Sequence, residues 1–210
     1  GGNDVIRAQF VIPGATTPGA FLSGDLGDDT VFGTGGLDTI QGGDGADVVI
    51  GNDDADNVNG GAGNDTISGG LKADVLTGDG GINTFTYTSL IDATVEGSTG
   101  FDTITDFVAN TNATADGDVL DIVAVFPLIG AFNFGANFGS ATSLAAALTN
   151  RLGGFVANGV ALVAMTPDAV GASYAGNYIV INDGSAGYQN TADAVIKVNT
   201  LANIGTNTFV

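Results

Sequence analysis

Aspartate is the residue type best able to do chemistry in this chain, and it recurs at a fixed spacing. The chain holds 23 acids against four bases, a formal net charge of −19, and every acid except Glu96 is Asp. A merely solvating acidic surface would draw on Glu as well, whereas Asp is short and tolerates tight turns and left-handed backbone. Asp29, Asp38, Asp47, Asp56, Asp65 and Asp74 follow one another at intervals of nine residues, and Asn83 falls on the next step. Carboxylates ordered in this way suit a hard cation, and calcium, which takes about six to eight oxygen ligands, fits them. The same charge argues against nucleic acid, whose phosphates need Lys and Arg, and against an anionic membrane surface. The chain contains no His and no Cys. That removes disulfides, the usual zinc sites and His-based catalysis. No GxSxG elbow is present, and Lys72 and Lys197 stand without a nucleophile partner. The chain therefore reads as a non-enzyme.

The elements that would position these carboxylates are legible in the same period. Seven nonapeptides run without a gap from Gly24 to Thr86: GDLGDDTVF, GTGGLDTIQ, GGDGADVVI, GNDDADNVN, GGAGNDTIS, GGLKADVLT and GDGGINTFT. The first position is always Gly, the sixth carries the Asp series, and the eighth is Val31, Ile40, Val49, Val58, Ile67, Leu76 and Phe85. Glycine in the first half of a unit permits positive φ and close backbone approach. The last three residues read as a short strand whose middle side chain faces inward. Two units make one coil, so the loops stack on two opposite flanks. One flank carries Asp29, Asp47, Asp65 and Asn83, and the other carries Asp38, Asp56 and Asp74. Carboxylates stacked about 4.8 Å apart repel strongly without a cation between them. Asp4 and Ile6 occupy the sixth and eighth positions of a truncated unit, Pro13 and Pro18 mark a loop, and Leu22 returns to the eighth-position phase.

The units match GGxGxDxUx and so resemble the calcium-binding repeats of RTX proteins. The resemblance implies an all-β fold, a right-handed parallel β-roll over residues 1–86 with the nonapeptides at 24–86. It implies calcium ions held between loops of successive coils by sixth-position carboxylates and loop carbonyls. The residues carried over as metal ligands are Asp29, Asp38, Asp47, Asp56, Asp65 and Asp74, with Gly27, Gly36, Gly43, Gly45, Asn52, Gly61 and Gly63 supplying backbone oxygens. Pairing units one to three through five to seven gives about five ions or more. Asp54 and Lys72 stand where the fourth position is usually Gly, Lys72 sets a positive charge beside the expected cation, and Asn83 removes one charge from the closing site.

Residues 87–210 lose the period. They read as a β-rich capping region with one short helix over residues 140–152, and Phe85 and Phe101 are expected among the covering side chains. The pieces DTITDF, DVLDI and the NDG turn before an apolar strand resemble the tails of serralysin-type and related type I–secreted proteins. Asp102, Asp106, Asp116, Asp118, Asp121, Asp183 and Asp193 read as turn formers and solvated strand residues rather than as an extra calcium site. No apolar run reaches the roughly 20 residues of a membrane helix. The chain begins in mid-motif, which reads as the C-terminal piece of something longer. The resulting expectation is a calcium-dependent folding, secretion and assembly module of an exported bacterial structural protein, a surface-layer protein or an adhesin. Its expected place is outside the cell or on the cell surface, and its expected partners are the type I secretion machinery and further copies in a surface lattice. The alternative is the same module on a secreted hydrolase such as a protease or lipase.

Overall fold

The computed structural model describes residues 1–8, 17–88, 101–108, 117–122, 128–134, 160–165, 176–181 and 194–200. Each unit contributes one strand because Val, Ile and Thr crowd its last three positions, where β-branched side chains fit a pleated surface. The strands of the first coils are β1 (Val5–Arg7), β2 (Phe21–Leu26), β3 (Thr30–Phe32), β4 (Thr39–Asp44), β5 (Val48–Asn52), β6 (Asn57–Ala62), β7 (Thr66–Gly70), β8 (Val75–Gly80) and β9 (Thr84–Tyr87). Odd and even strands separate into two parallel sheets, in the orders β1-β3-β5-β7-β9 and β2-β4-β6-β8. Registers step by two units: Val31 pairs with Val49, Val49 with Ile67, Ile40 with Val58, and Val58 with Leu76. The fold is all-β, a parallel β-roll with two nonapeptides per coil.

The eighth-position side chains fill the space between the sheets. Val31, Ile40, Val49, Val58, Ile67, Leu76 and Phe85 are all buried, and Ile6 and Leu22 pack against them at the N-terminal end. Each such side chain contributes about 1.5–3 kcal/mol by leaving water. Residues one place earlier point the other way, so Val48 and Val75 are exposed.

The sheets do not break at residue 86, where the period ends. Two further strands, β10 (Asp102–Ile104) and β11 (Val119–Ile122), pair in parallel with β8 and β9 and place Ile104 and Leu120 in the same buried column. The roll therefore gains another coil from residues that carry the strand triplet without the nine-residue spacing. Four more strands extend the larger sheet: β12 (Leu128–Phe134), β13 (Val160–Met165), β14 (Gly176–Ile181) and β15 (Ala194–Val198). β15 joins β10 in parallel, and β14 runs antiparallel to both β13 and β15. A change to antiparallel pairing ends the solenoid repeat. Phe101 meets Tyr178 of β14 edge-on with ring centroids 5.5 Å apart, and Phe107 packs on Phe85 at 6.1 Å. Phe85 and Phe101 thus cover the end of the roll as expected, with Phe107 and Tyr178 as their partners. No helix occurs among the described residues. The helix expected over 140–152 and the turn at 182–184 lie outside them.

Candidate metal centre

Sixth-position residues are placed by the strand that follows each of them. Every one is buried: Asp29, Asp38, Asp47, Asp56, Asp65, Asp74 and Asn83. Each lends its Oδ1 to the backbone of the preceding coil. On the odd flank, the N–H groups of Asp4, Asp29, Asp47 and Asp65 donate to Oδ1 of Asp29, Asp47, Asp65 and Asn83 at 2.6, 2.7, 2.9 and 3.1 Å. On the even flank, Ala20, Asp38 and Asp56 donate to Asp38, Asp56 and Asp74 at 2.6, 2.8 and 2.8 Å. These side-chain ladders satisfy loop N–H groups that no strand partner reaches.

Two residues read from the sequence as turn formers or strand-face acids prove to be ladder members. Asp102 accepts the Asp74 N–H at 2.9 Å and Asp118 accepts the Asn83 N–H at 2.9 Å, and both carboxylates are buried. The signal was present: Asp102-Thr103-Ile104 and Asp118-Val119-Leu120 repeat the triplet of positions six to eight. The spacing of 28 and 35 residues from their partners hid it. Asp106 accepts the Gly78 and Asp79 N–H groups at 3.0 and 2.6 Å. Asp116, Asp183 and Asp193 lie outside the described residues.

The second carboxylate oxygen distinguishes the sites. Oδ2 of Asp29, Asp47, Asp56 and Asp65 is buried and has no hydrogen-bond partner among the described residues. A Cβ added to Gly24, Gly42 or Gly51 would collide with Oδ2 of Asp29, Asp47 or Asp56. It would also collide with the carbonyl oxygen of the first-position glycine one coil on, Gly42, Gly60 or Gly69. Carboxylate and carbonyl therefore face one void that only glycine leaves open. A buried charge without a partner is costly, so oxygens oriented in this way suit a cation. Among the described residues no three acid side chains converge. Each loop offers one buried carboxylate, and the rest of an oxygen shell falls to backbone carbonyls.

Electrostatics point the same way. Burial pushes the Asp56 carboxyl up to about 7, with the Asp74 and Asp38 charges adding to it. Burial also lifts Asp65 to about 6 and raises Asp47, with the Asp29 charge beside it. Negative charge collects on these flanks at a cost that a cation would relieve.

The loops themselves divide by flank. Gly27, Gly43, Gly45, Gly61 and Gly63 all adopt positive φ, as does Asn52 at 85°. Asp54 and Lys72 take the same conformation, with φ of 77° and 83°. Lys72 Nζ lies 2.8 Å from Asp54 Oδ1, and this hydrogen bond holds the Asp54 carboxyl below its usual range. The positive charge that stood beside an expected cation is thus tied to the neighbouring coil. Gly36 departs from the series: its φ is not positive, and its loop is built differently around Thr34.

A family model described as the RTX calcium-binding nonapeptide repeat, in four copies, matches residues 23–58 and 50–85. No curated protein matches the chain. Among solved structures, the AlgE6R3 subunit of the Azotobacter vinelandii mannuronan C5-epimerase, determined in solution, is similar at 21% identity. That match covers 97% of this chain and 86% of that one, with a TM-score of 0.36. Among the described residues no helix is long and apolar enough to cross a membrane. Over residues 23–85 the chain belongs to the RTX calcium-binding repeats, folded as a β-roll.

Proposed function

We propose that this chain is a calcium-dependent folding, secretion and assembly module of an exported bacterial structural protein, a surface-layer protein or an adhesin, and that it is not an enzyme. One observation carries the reading: buried carboxylate oxygens without partners, on Asp29, Asp47, Asp56 and Asp65, repeat coil after coil. Bound calcium supplies positive charge and a demand for about six to eight oxygens. The residues that would hold it are these four Asp, Asp74, and the carbonyls of Gly27, Gly43, Gly45, Asn52, Gly61 and Gly63. Where calcium is scarce, the carboxylates repel one another and the glycine-rich units pay a large ordering entropy, so the array stays unfolded and able to thread an export channel. Outside the cell, ligand binding becomes folding free energy, because the sites do not exist in the unfolded chain. The composition supports a structural parent: Gly is abundant, and His and Trp are absent.

Far-UV circular dichroism and thermal melting, with calcium and with EGTA, test the reading. Loss of strand signal and a lower melting temperature in EGTA are expected. Identical spectra and melting temperatures would falsify it.

A further inference from the structure

The loop of the second nonapeptide is closed by protein donors. The Thr34 N–H donates to Asp38 Oδ2 at 2.6 Å, and the Thr34 hydroxyl lies 2.9 and 3.1 Å from Oδ1 and Oδ2 of the same carboxylate. The Gly36 N–H in turn donates to the Thr34 hydroxyl at 3.1 Å. The Ala20 N–H completes the set on Asp38 Oδ1. Thr34 and Asp38 are both buried. Asp38 therefore differs from Asp29, Asp47, Asp56 and Asp65, whose Oδ2 atoms have no partner among the described residues.

Backbone geometry separates this loop from the other six. Positions two and four have positive φ in every other unit: Asp25 and Gly27, Gly43 and Gly45, Asn52 and Asp54, Gly61 and Gly63, Gly70 and Lys72, Asp79 and Gly81. Neither Thr34 nor Gly36 does. A β-branched residue resists the left-handed region, and a Thr side chain offers the backbone a local alternative hydrogen bond. Residues 17–20 pack closely on the loop, since a Cβ on Gly36 would collide with the Thr17 carbonyl and one on Gly19 with the Leu37 carbonyl.

We propose that Thr34 replaces calcium in this loop: its N–H and hydroxyl neutralise the demand of the Asp38 carboxylate, so the loop holds its shape without a cation and takes none. The proposal rests on the calcium reading of the other loops. It removes Asp38 and Gly36 from the ligand set. It leaves the even flank, at its N-terminal end, with a cap that forms before calcium arrives.

The test is a count of bound calcium on the intact 210-residue chain by native mass spectrometry at saturating calcium. Thr34→Gly restores the glycine of the repeat, and it is expected to bind one ion more than the parent, while Thr34→Ser binds the parental number. An unchanged count in a folded Thr34→Gly overturns the proposal. Anomalous scattering from crystals of the parent chain grown with calcium decides the matter without a variant. Ions beside Asp29, Asp47, Asp56 or Asp65 and none within coordination distance of Asp38, about 2.3–2.6 Å, support it. An ion on Asp38 as well overturns this proposal alone. No ion anywhere overturns both it and the calcium reading.

Discussion

Asn83 shows what a sixth-position side chain must do and what it need not do. Its Oδ1 accepts the Asp65 N–H like any ladder Asp, so the hydrogen bond requires a carbonyl-type oxygen and no charge. The charge at the other positions then serves a cation. Asp47→Asn should therefore have opposite effects in the two states. Without calcium it relieves a buried charge and leaves the melting temperature unchanged or higher. With calcium it removes a ligand and lowers the melting temperature, by the equivalent of about 2.7 kcal/mol where free calcium stands a hundredfold above the site's dissociation constant. Paired melts with calcium and with EGTA read this directly, and a drop in both conditions would count against the cation role. The raised carboxyls make a second prediction. Asp56 at about 7 and Asp65 at about 6 hold protons in the calcium-free fold that the unfolded chain releases near 3.8. The fold then binds more protons than the unfolded chain, so its stability falls as pH rises from about 4 through about 7. Calcium-free melts at pH 5 and pH 8 should place the higher melting temperature at pH 5, and the reverse order would remove these groups from the balance.

Strands and loops of the roll are held by different forces. The strands depend on one inward side chain each, and Ile67 is completely buried between the sheets. Ile67→Ala should cost about 2–5 kcal/mol in the calcium-loaded chain, measured by denaturant unfolding. Val75→Thr, at an exposed strand position, should stay within about 0.5 kcal/mol. Equal effects would mean that the apolar column does not hold the coils together. The loops depend instead on backbone approach. Gly45 has φ of 141°, and a Cβ there would strike the Gly27 carbonyl one coil back. That is why glycine cannot be exchanged for alanine at this place even though both are small.

At the scale of the molecule, net charge and site chemistry make separable demands. Exposed acids can be screened by any salt, whereas buried carboxylates cannot. Magnesium needs near-ideal octahedral geometry and gives up its water reluctantly, while these loops offer one carboxylate each and flexible sets of carbonyls. A titration followed by circular dichroism should therefore fold the chain with calcium and leave it largely unfolded with magnesium or with sodium chloride of matched ionic strength. Folding by sodium chloride alone would reduce calcium to a screening ion. The C-terminal strands β10 and β11 lengthen the roll, and the antiparallel β13, β14 and β15 stop it. Asp118 shows how the odd flank ends: its two oxygens take the Asn83 and Val108 N–H groups.

The sequence by itself determined the repeat, its two flanks, the buried column and the identity of the ladder Asp residues. All of these follow from a strict period, because a solenoid turns equal spacing along the chain into stacking in space. Only the tertiary structure decided where the period fails. Asp102 and Asp118 joined the ladders across insertions of irregular length, since strand pairing selects the local triplet and ignores the loop between. Asp38 kept its place in the ladder but lost its open oxygen to Thr34, a contact set by one loop's backbone and by residues 17–20 packed upon it. Period reports what repeated units share, and the partners of any one carboxylate depend on what the rest of the fold brings within reach.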